Sequence, residues 1–303
     1  MPQVRANGIT IEYESIGREG GSAILLVMGF ATALTGWPDS LCNGLAAKGF
    51  RVIRFDNRDI GKSTHLTQLG APDLAAMMAK LQGGQTPVAP YSLDDMAADA
   101  AGLLTALGID RAHIVGASMG GMIGQLVAIN YPSKMKSLIS IMSTTQRRDL
   151  PEGKPEAFAA IMTPPKSPGR EDRIARGIEV WRVIGSPGFP ASDVERRTSV
   201  ERSVDYAPYD PAGLARQMAA VITATPRNDR LRALKIPALV IHGADDPLIP
   251  LSGGEDTAKS IHGADLLVVP GMAHDITESL VPVYLKAIGE FIANVEAQER
   301  SQA

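Results

Sequence analysis

The chain has 303 residues, 45% hydrophobic and 21% charged. That excludes disorder, collagen and a pure coiled coil, and suits one large α/β domain with an insertion. Lys plus Arg total 30 against 33 Asp plus Glu, a formal charge of −3, and no basic run carries interleaved aromatics, so nucleic acid is not an expected partner. The single cysteine, Cys42, forms no internal disulfide and reads as a small buried residue on a helix. The N-terminus lacks the apolar stretch of a secretory signal, and the longest clearly apolar run, residues 23–28, is far short of a membrane span. The expectation is a soluble, cytoplasmic protein.

Residues 9–14 alternate with period two, as a half-exposed antiparallel strand does. Residues 23–28 are continuously apolar, as in a strand buried on both faces. Residues 50–55 form the next strand. A long link, 64–91, holds turn signals and a short helical patch at 74–81. Ser92 caps a helix running to about residue 107, with Asp94 and Asp95 in its first turn. A strand at 112–116, a helix from 119 to about 131 and a strand at 137–142 follow. Residues 145–233 contain no convincing buried strand, hold Pro164-Pro165, and include a helix at 170–184 rich in Arg and Glu. Strands return at 237–241 and 265–269, and a helix at about 280–296 ends the chain. Strands alternating with helices predict a mostly parallel sheet covered on both faces. The interruption predicts a core of 1–144 and 234–303 with a helical lid at 145–233.

Gly116-Ala117-Ser118-Met119-Gly120 is the one G-x-S-x-G in the chain. It follows a buried strand and opens a helix, the context of a serine exposed on a sharp strand-to-helix turn. A Cβ at either flanking glycine would crowd that turn. A serine hydroxyl needs a base to attack at neutral pH. In this architecture the acid and the base follow the serine, which removes His65 and His113. His242 precedes any suitable acid, and His262 ends a helix. His274, in a loop just past the last strand, is the candidate base. The orienting acid lies in His242-Gly243-Ala244-Asp245-Asp246-Pro247, where spacing does not separate Asp245 from Asp246; the other aspartate would cap the turn. Phe30, after Val27-Met28-Gly29, and Met119, after the serine, are placed to offer backbone N–H groups to an oxyanion.

The residues resemble the α/β-hydrolase superfamily over nearly the whole chain: Met28-Gly29-Phe30, Asp56 to Ser63, the serine turn, Gly243 to Pro247 and Gly271 to His274. Val27-Met28-Gly29 with Gly36-Trp37-Pro38 and Asp56-Asn57-Arg58-Asp59 is similar to the esterase branch that includes the aclacinomycin methylesterases. Met28 stands where His is usual, a departure shared within that branch, and Asp59 stands where the family's Asp-x-Arg-Gly-x-Gly-x-Ser has Gly. The 56–63 segment reads as structural. The resemblance implies an eight-stranded, mostly parallel sheet, favours Asp246 as the acid, and implies hydrolysis of a small-molecule ester without metal or organic cofactor.

Gly61-Lys62-Ser63 is not a phosphate loop, because Asp56 occupies the position of its first glycine. There is no H-E-x-x-H and no Cys/His cluster, so zinc is not expected. Ser118 rather than Asp on the turn argues against dehalogenase and epoxide-hydrolase chemistry. The expected function is a serine carboxylesterase. Perhydrolysis, carbon–carbon or thioester cleavage, and a ligand-binding protein of little turnover remain alternatives. Met77, Met78, Met162, Trp181, Phe189 and Met218 either fill the lid's interior or line a pocket; Met77, Met162, Trp181 and Met218 are the candidate substrate-binding residues. Oligomeric state is left open.

Overall fold

The computed structural model describes residues 1–302. Its centre is one sheet of β1 (Gln3–Ala6), β2 (Ile9–Gly17), β3 (Ala23–Val27), β4 (Arg51–Phe55), β5 (Ala112–Ala117), β6 (Met135–Ile141), β7 (Ala238–Gly243) and β8 (Asp265–Val269). The order across it is β1-β2-β4-β3-β5-β6-β7-β8. β1 and β2 pair antiparallel, β2 pairs antiparallel with β4, and every later pairing is parallel. The eight-stranded, mostly parallel sheet is therefore as expected. β3 and β5 are buried along their whole length, as central strands covered on both faces must be. β2 departs from simple alternation at Glu12, which is buried although charged.

Helices cover both faces. α1 (Asp39–Ala47) and α11 (Val281–Gln302) pack on one side, where Leu41, Leu45, Tyr284 and Ile288 meet Ile24, Leu26 and Ile139. α2 (Leu74–Gln82) lies in the 64–91 link. α3 (Leu93–Ala106) and α4 (Met119–Asn130) cover the other face, bringing Leu103 and Ile123 against Leu25 and Ile114. α3 starts with a full capping box: Ser92 Oγ accepts the Asp95 N–H, and Asp95 accepts the Ser92 N–H. Between β6 and β7 run α5 (Pro155–Met162), α6 (Arg170–Ile184), α7 (Asp193–Tyr206), α8 (Pro211–Ile222) and α9 (Asn228–Arg232); α10 (Leu251–Ser260) follows β7. α6 has the bounds read from its sequence pattern. α9 packs against α4 and α10. No helix among the described residues is long and apolar enough to cross a membrane.

Candidate active site

β5 ends at Ala117 and α4 begins at Met119, so Ser118 alone turns the chain, with φ 55° and ψ −120°. Such left-handed backbone costs a non-glycine residue on the order of 1–3 kcal/mol and survives only where surrounding contacts fix it. Here the Ser118 N–H donates to Ile141 O at 2.9 Å, and Ser143 Oγ donates to Ser118 O at 2.8 Å. The glycines on either side are required by backbone, not by side chains: a Cβ on Gly116 would overlap Gly120 O, and one on Gly120 would overlap Val27 O. The outcome is a serine left half-exposed among buried neighbours.

His274, past β8, reaches that serine. Its Nε2 lies 2.9 Å from Ser118 Oγ and its Nδ1 lies 2.7 Å from Asp246 Oδ2. A carboxylate opposite Nδ1 places the ring proton there, so Nε2 of the neutral ring accepts from the serine hydroxyl. The other carboxyl oxygen, Asp246 Oδ1, accepts the N–H groups of Leu248 at 2.8 Å and Ile249 at 2.9 Å. Burial opposes charge on Asp246, but His274 and these N–H groups outweigh it and hold the carboxyl below its ordinary value. Asp245 points elsewhere, its Oδ2 accepting the Gly271 N–H at 2.8 Å, so the two aspartates that spacing left equivalent are separated by the turn itself. His242 is buried with Nε2 on Ile249 O at 2.9 Å, and burial lowers its pKa. His65 and His113 bond to Asp210 and Ser137 and do not approach Ser118.

The two candidate oxyanion donors adjoin the serine turn: Met119 follows Ser118 in the chain, and Phe30 follows Gly29. A Cβ built on Gly29 would stand 3.1 Å from Ser118 Cβ and 3.7 Å from its Oγ, so the loop after β3 lies directly against the serine. Within the described residues neither the Phe30 N–H nor the Met119 N–H donates to a protein acceptor. The 56–63 segment supports this loop. Asp56 Oδ1 accepts the Leu34 N–H at 2.7 Å, its Oδ2 accepts the Lys62 N–H at 2.8 Å, and Asn57 Nδ2 donates to Met28 O at 3.0 Å. Gly61-Lys62-Ser63 thus wraps a carboxylate of its own chain.

The loop that carries His274 is held by residues far from it in the chain. The stretch after α6 clamps it: the His274 N–H donates to Ile184 O at 2.9 Å, and the Ala273 N–H donates to Ser186 Oγ at 2.8 Å. Ser186 in turn hydrogen bonds through both N–H and Oγ to Asp275. Burial raises the Asp275 carboxyl pKa, and the Ser186 bonds only partly offset it.

A cavity of about 410 Å³ lies between α5, α6, α8 and residues 59–65, with Phe30 on its wall. Ser118, His274 and Asp246 are not in its lining. Of the candidate substrate-binding residues, Met162 and Met218 line it; Met77 and Trp181 do not. On α2 the cavity reaches only Leu74, while Met77 is buried further along that helix. On α6 the cavity face is Arg173, Arg176, Gly177 and Val180, spaced by three and four residues, and Trp181 sits on the flank of that face. Asp59, His65 and Asp210 bring ligand-type atoms within 4.8 Å of one another at its floor. They are one ion-pair network, since Arg216 grips both Asp59 oxygens at 2.8 and 2.7 Å, and His65 Nδ1 lies 2.7 Å from Asp210 Oδ2.

The family model of the α/β-hydrolase fold matches residues 22–278. The chain is 26% identical over 284 residues to a rhodomycin D methylesterase of Streptomyces peucetius, covering 88% of this chain and 89% of that protein. It is 26% identical over 265 residues to a 3-oxoadipate enol-lactonase of Acinetobacter baylyi, covering 87% and 86%. Among solved structures, a thermophilic esterase from Thermogutta terrifontis superposes with a TM-score of 0.69 at 25% identity, covering 97% of this chain and 99% of that one.

Proposed function

The chain belongs to the α/β-hydrolase fold family and is a hydrolase of the ester-cleaving kind, and on that premise we propose that it is a serine carboxylesterase working through Ser118, His274 and Asp246. The observation that carries this reading is the continuous hydrogen-bond chain Ser118 Oγ–His274 Nε2, His274 Nδ1–Asp246 Oδ2, at 2.9 and 2.7 Å. Ser118 Oγ attacks the ester carbonyl carbon while His274 Nε2 takes its proton. The carbonyl oxygen becomes an oxyanion received by the Phe30 and Met119 N–H groups, at the positive end of α4. Asp246 holds the ring in the correct tautomer and stabilises the imidazolium. Collapse of the adduct breaks the ester C–O bond, and the alcohol leaves with the proton from His274. Water then attacks the acyl-serine as His274 accepts its proton, the acyl C–Oγ bond breaks as His274 returns that proton to Ser118 Oγ, and the carboxylic acid is released.

In the same reading residues 145–233 form a cap over a core of 1–144 and 234–303. The cavity that Phe30 lines gives room to the larger part of the substrate, with Met162 and Met218 on its wall. Its volume falls within the range of small-molecule sites. The relatives named as a methylesterase and an enol-lactonase support a small-molecule ester or lactone. The test is hydrolysis of p-nitrophenyl esters from acetate to palmitate, beside Ser118→Ala and Asp246→Asn. The expected result is turnover abolished by the first substitution and reduced about 10⁴-fold in kcat by the second. Undiminished turnover in Ser118→Ala would refute the proposal.

A further inference from the structure

Phe30 sits on a loop whose conformation its own residues disfavour. Ala31 takes φ 58°, the left-handed region, although it carries a Cβ. The loop keeps that shape through side chains reaching it from outside. Asp56 and Asn57, just after β4, hold Leu34 and Met28 on either side of it. The middle of the loop is held from α8. Gln217 Oε1 accepts the Ala31 N–H at 3.1 Å, and its Nε2 donates to Arg58 O at 2.8 Å. The Gln217 side chain is fully buried. With an N–H on one side and a C=O on the other, only one orientation of the amide satisfies both ends. The peptide unit that Gln217 grips, Phe30–Ala31, directly follows the unit that carries the Phe30 N–H. The helix that bears Gln217 is itself anchored, one residue earlier, by Arg216 on Asp59.

We infer that Gln217 is a positioning residue for the oxyanion site: from the helical insertion it fixes the Phe30–Ala31 peptide, and so the direction of the Phe30 N–H. The inference rests on the serine-esterase reading proposed above. An oxyanion donor is effective only within about 2.7–3.1 Å of the oxygen it receives. Without the Gln217 amide the Ala31 N–H loses its buried acceptor, and the strained loop is free to turn toward another. The chemical step then suffers while substrate still enters the same cavity. Substrate binding and catalysis are thereby linked through α8, which lines the cavity with Leu214, Ala215 and Met218 and clamps the loop with Gln217.

The experiment compares wild type, Gln217→Met, Gln217→Glu and Ser118→Ala on p-nitrophenyl acetate. Rates of the proteins that keep Ser118 are counted per site titrated with a fluorophosphonate, so misfolded protein drops out, and the rate of Ser118→Ala is counted per folded chain measured by urea unfolding. Phenylboronic acid is the second probe, because its tetrahedral serine adduct places an oxygen where the oxyanion forms. Gln217→Met is expected to lower kcat about 10- to 100-fold, less than the 10²–10³ of removing a donor outright. KM is expected to stay within about threefold, and phenylboronic acid to weaken by the factor lost in kcat/KM. Gln217→Glu keeps an oxygen for the Ala31 N–H and is expected to lose less. If Gln217→Met yields no titratable site, Gln217→Leu, which likewise lacks an acceptor for the Ala31 N–H, decides instead: lowered kcat at constant KM supports the inference, and wild-type kcat overturns it. A Gln217→Met enzyme with unchanged kcat and boronate affinity, or with only KM raised, overturns the inference while an inactive Ser118→Ala leaves the serine reading standing. Turnover persisting in Ser118→Ala overturns both.

Discussion

Asp59→Gly is the most informative single change to the fold. Asp59 takes φ 64°, a conformation that suits glycine. On local backbone grounds the substitution relieves roughly 1 kcal/mol of strain. The side chain argues the other way. Asp59 and Arg216 are both fully buried and meet through two bonds at 2.7 and 2.8 Å. Removing one partner of a buried ion pair costs roughly 3–5 kcal/mol, because the other charge stays in low dielectric without compensation. Asp59 Oδ1 also accepts the Leu66 N–H at 2.7 Å, a bond worth about 1 kcal/mol. Arg216 keeps Gly70 O at 2.7 Å and Asp210 Oδ2 at 3.4 Å, which places the loss toward the lower end of the range. The net expectation is a loss of about 3 kcal/mol in urea unfolding. Asp59→Gly combined with Arg216→Met removes both charges and should return to within about 1 kcal/mol of wild type. A single variant as stable as wild type, or a double variant weaker than the single, would refute the reasoning.

Three further outcomes follow from the packing. Gly120→Ala places a Cβ on Val27 O, which is backbone in the middle of the sheet and cannot move aside; the expected result is a loss of at least about 3 kcal/mol in urea unfolding or no soluble protein, and a wild-type midpoint would contradict it. Burial holds the pKa of His113 down at about 4 against 6.5 in the unfolded chain, with Lys136 and Arg111 acting in the same direction and Glu296 against. As pH falls from about 6.5 to about 4 the unfolded state takes up that proton first, so stability drops across this window; a His113→Asn variant should show a flatter acid limb, and an unchanged slope would rule His113 out as the cause. Burial raises the Cys42 thiol to about 11 from 9.0, so at pH 8 its thiolate fraction falls about 100-fold. Iodoacetamide should therefore label Cys42, detected by mass spectrometry, only once the chain is unfolded, and ready labelling of the native protein would contradict that burial.

What the sequence made legible was whatever had a local physical cause. The serine turn was readable because its two glycines answer a demand of the backbone, now visible as the contacts of Gly116 with Gly120 O and Gly120 with Val27 O. β3 and β5 were readable because strands covered on both faces must be continuously apolar. β1 was missed although Asn7-Gly8, with φ 46° and 80°, is the dipeptide of a tight hairpin turn; four residues on an exposed edge carry too little periodicity to stand out. Asp245 and Asp246 were inseparable by spacing, because what divides them is which carboxyl oxygen meets Gly271 and which meets His274. Met77 and Trp181 failed as cavity residues for a related reason: composition names candidates, but the facing of α2 and α6 decides which reach the space. Gln217 and the Ser186–Asp275 clamp carried no local signal, since their partners lie 186 and 89 residues away in the chain.

The central claim is that Ser118, activated by His274, is the nucleophile, and covalent trapping tests it most directly. The protein is treated with an aryl fluorophosphonate, digested, and the adduct located by mass spectrometry, with His274→Ala treated in parallel. A single adduct on Ser118, formed with loss of ester hydrolysis and at least about 10²-fold more slowly in His274→Ala, is the expected result. An adduct on another residue, or labelling of Ser118 at the same rate without His274, would contradict it.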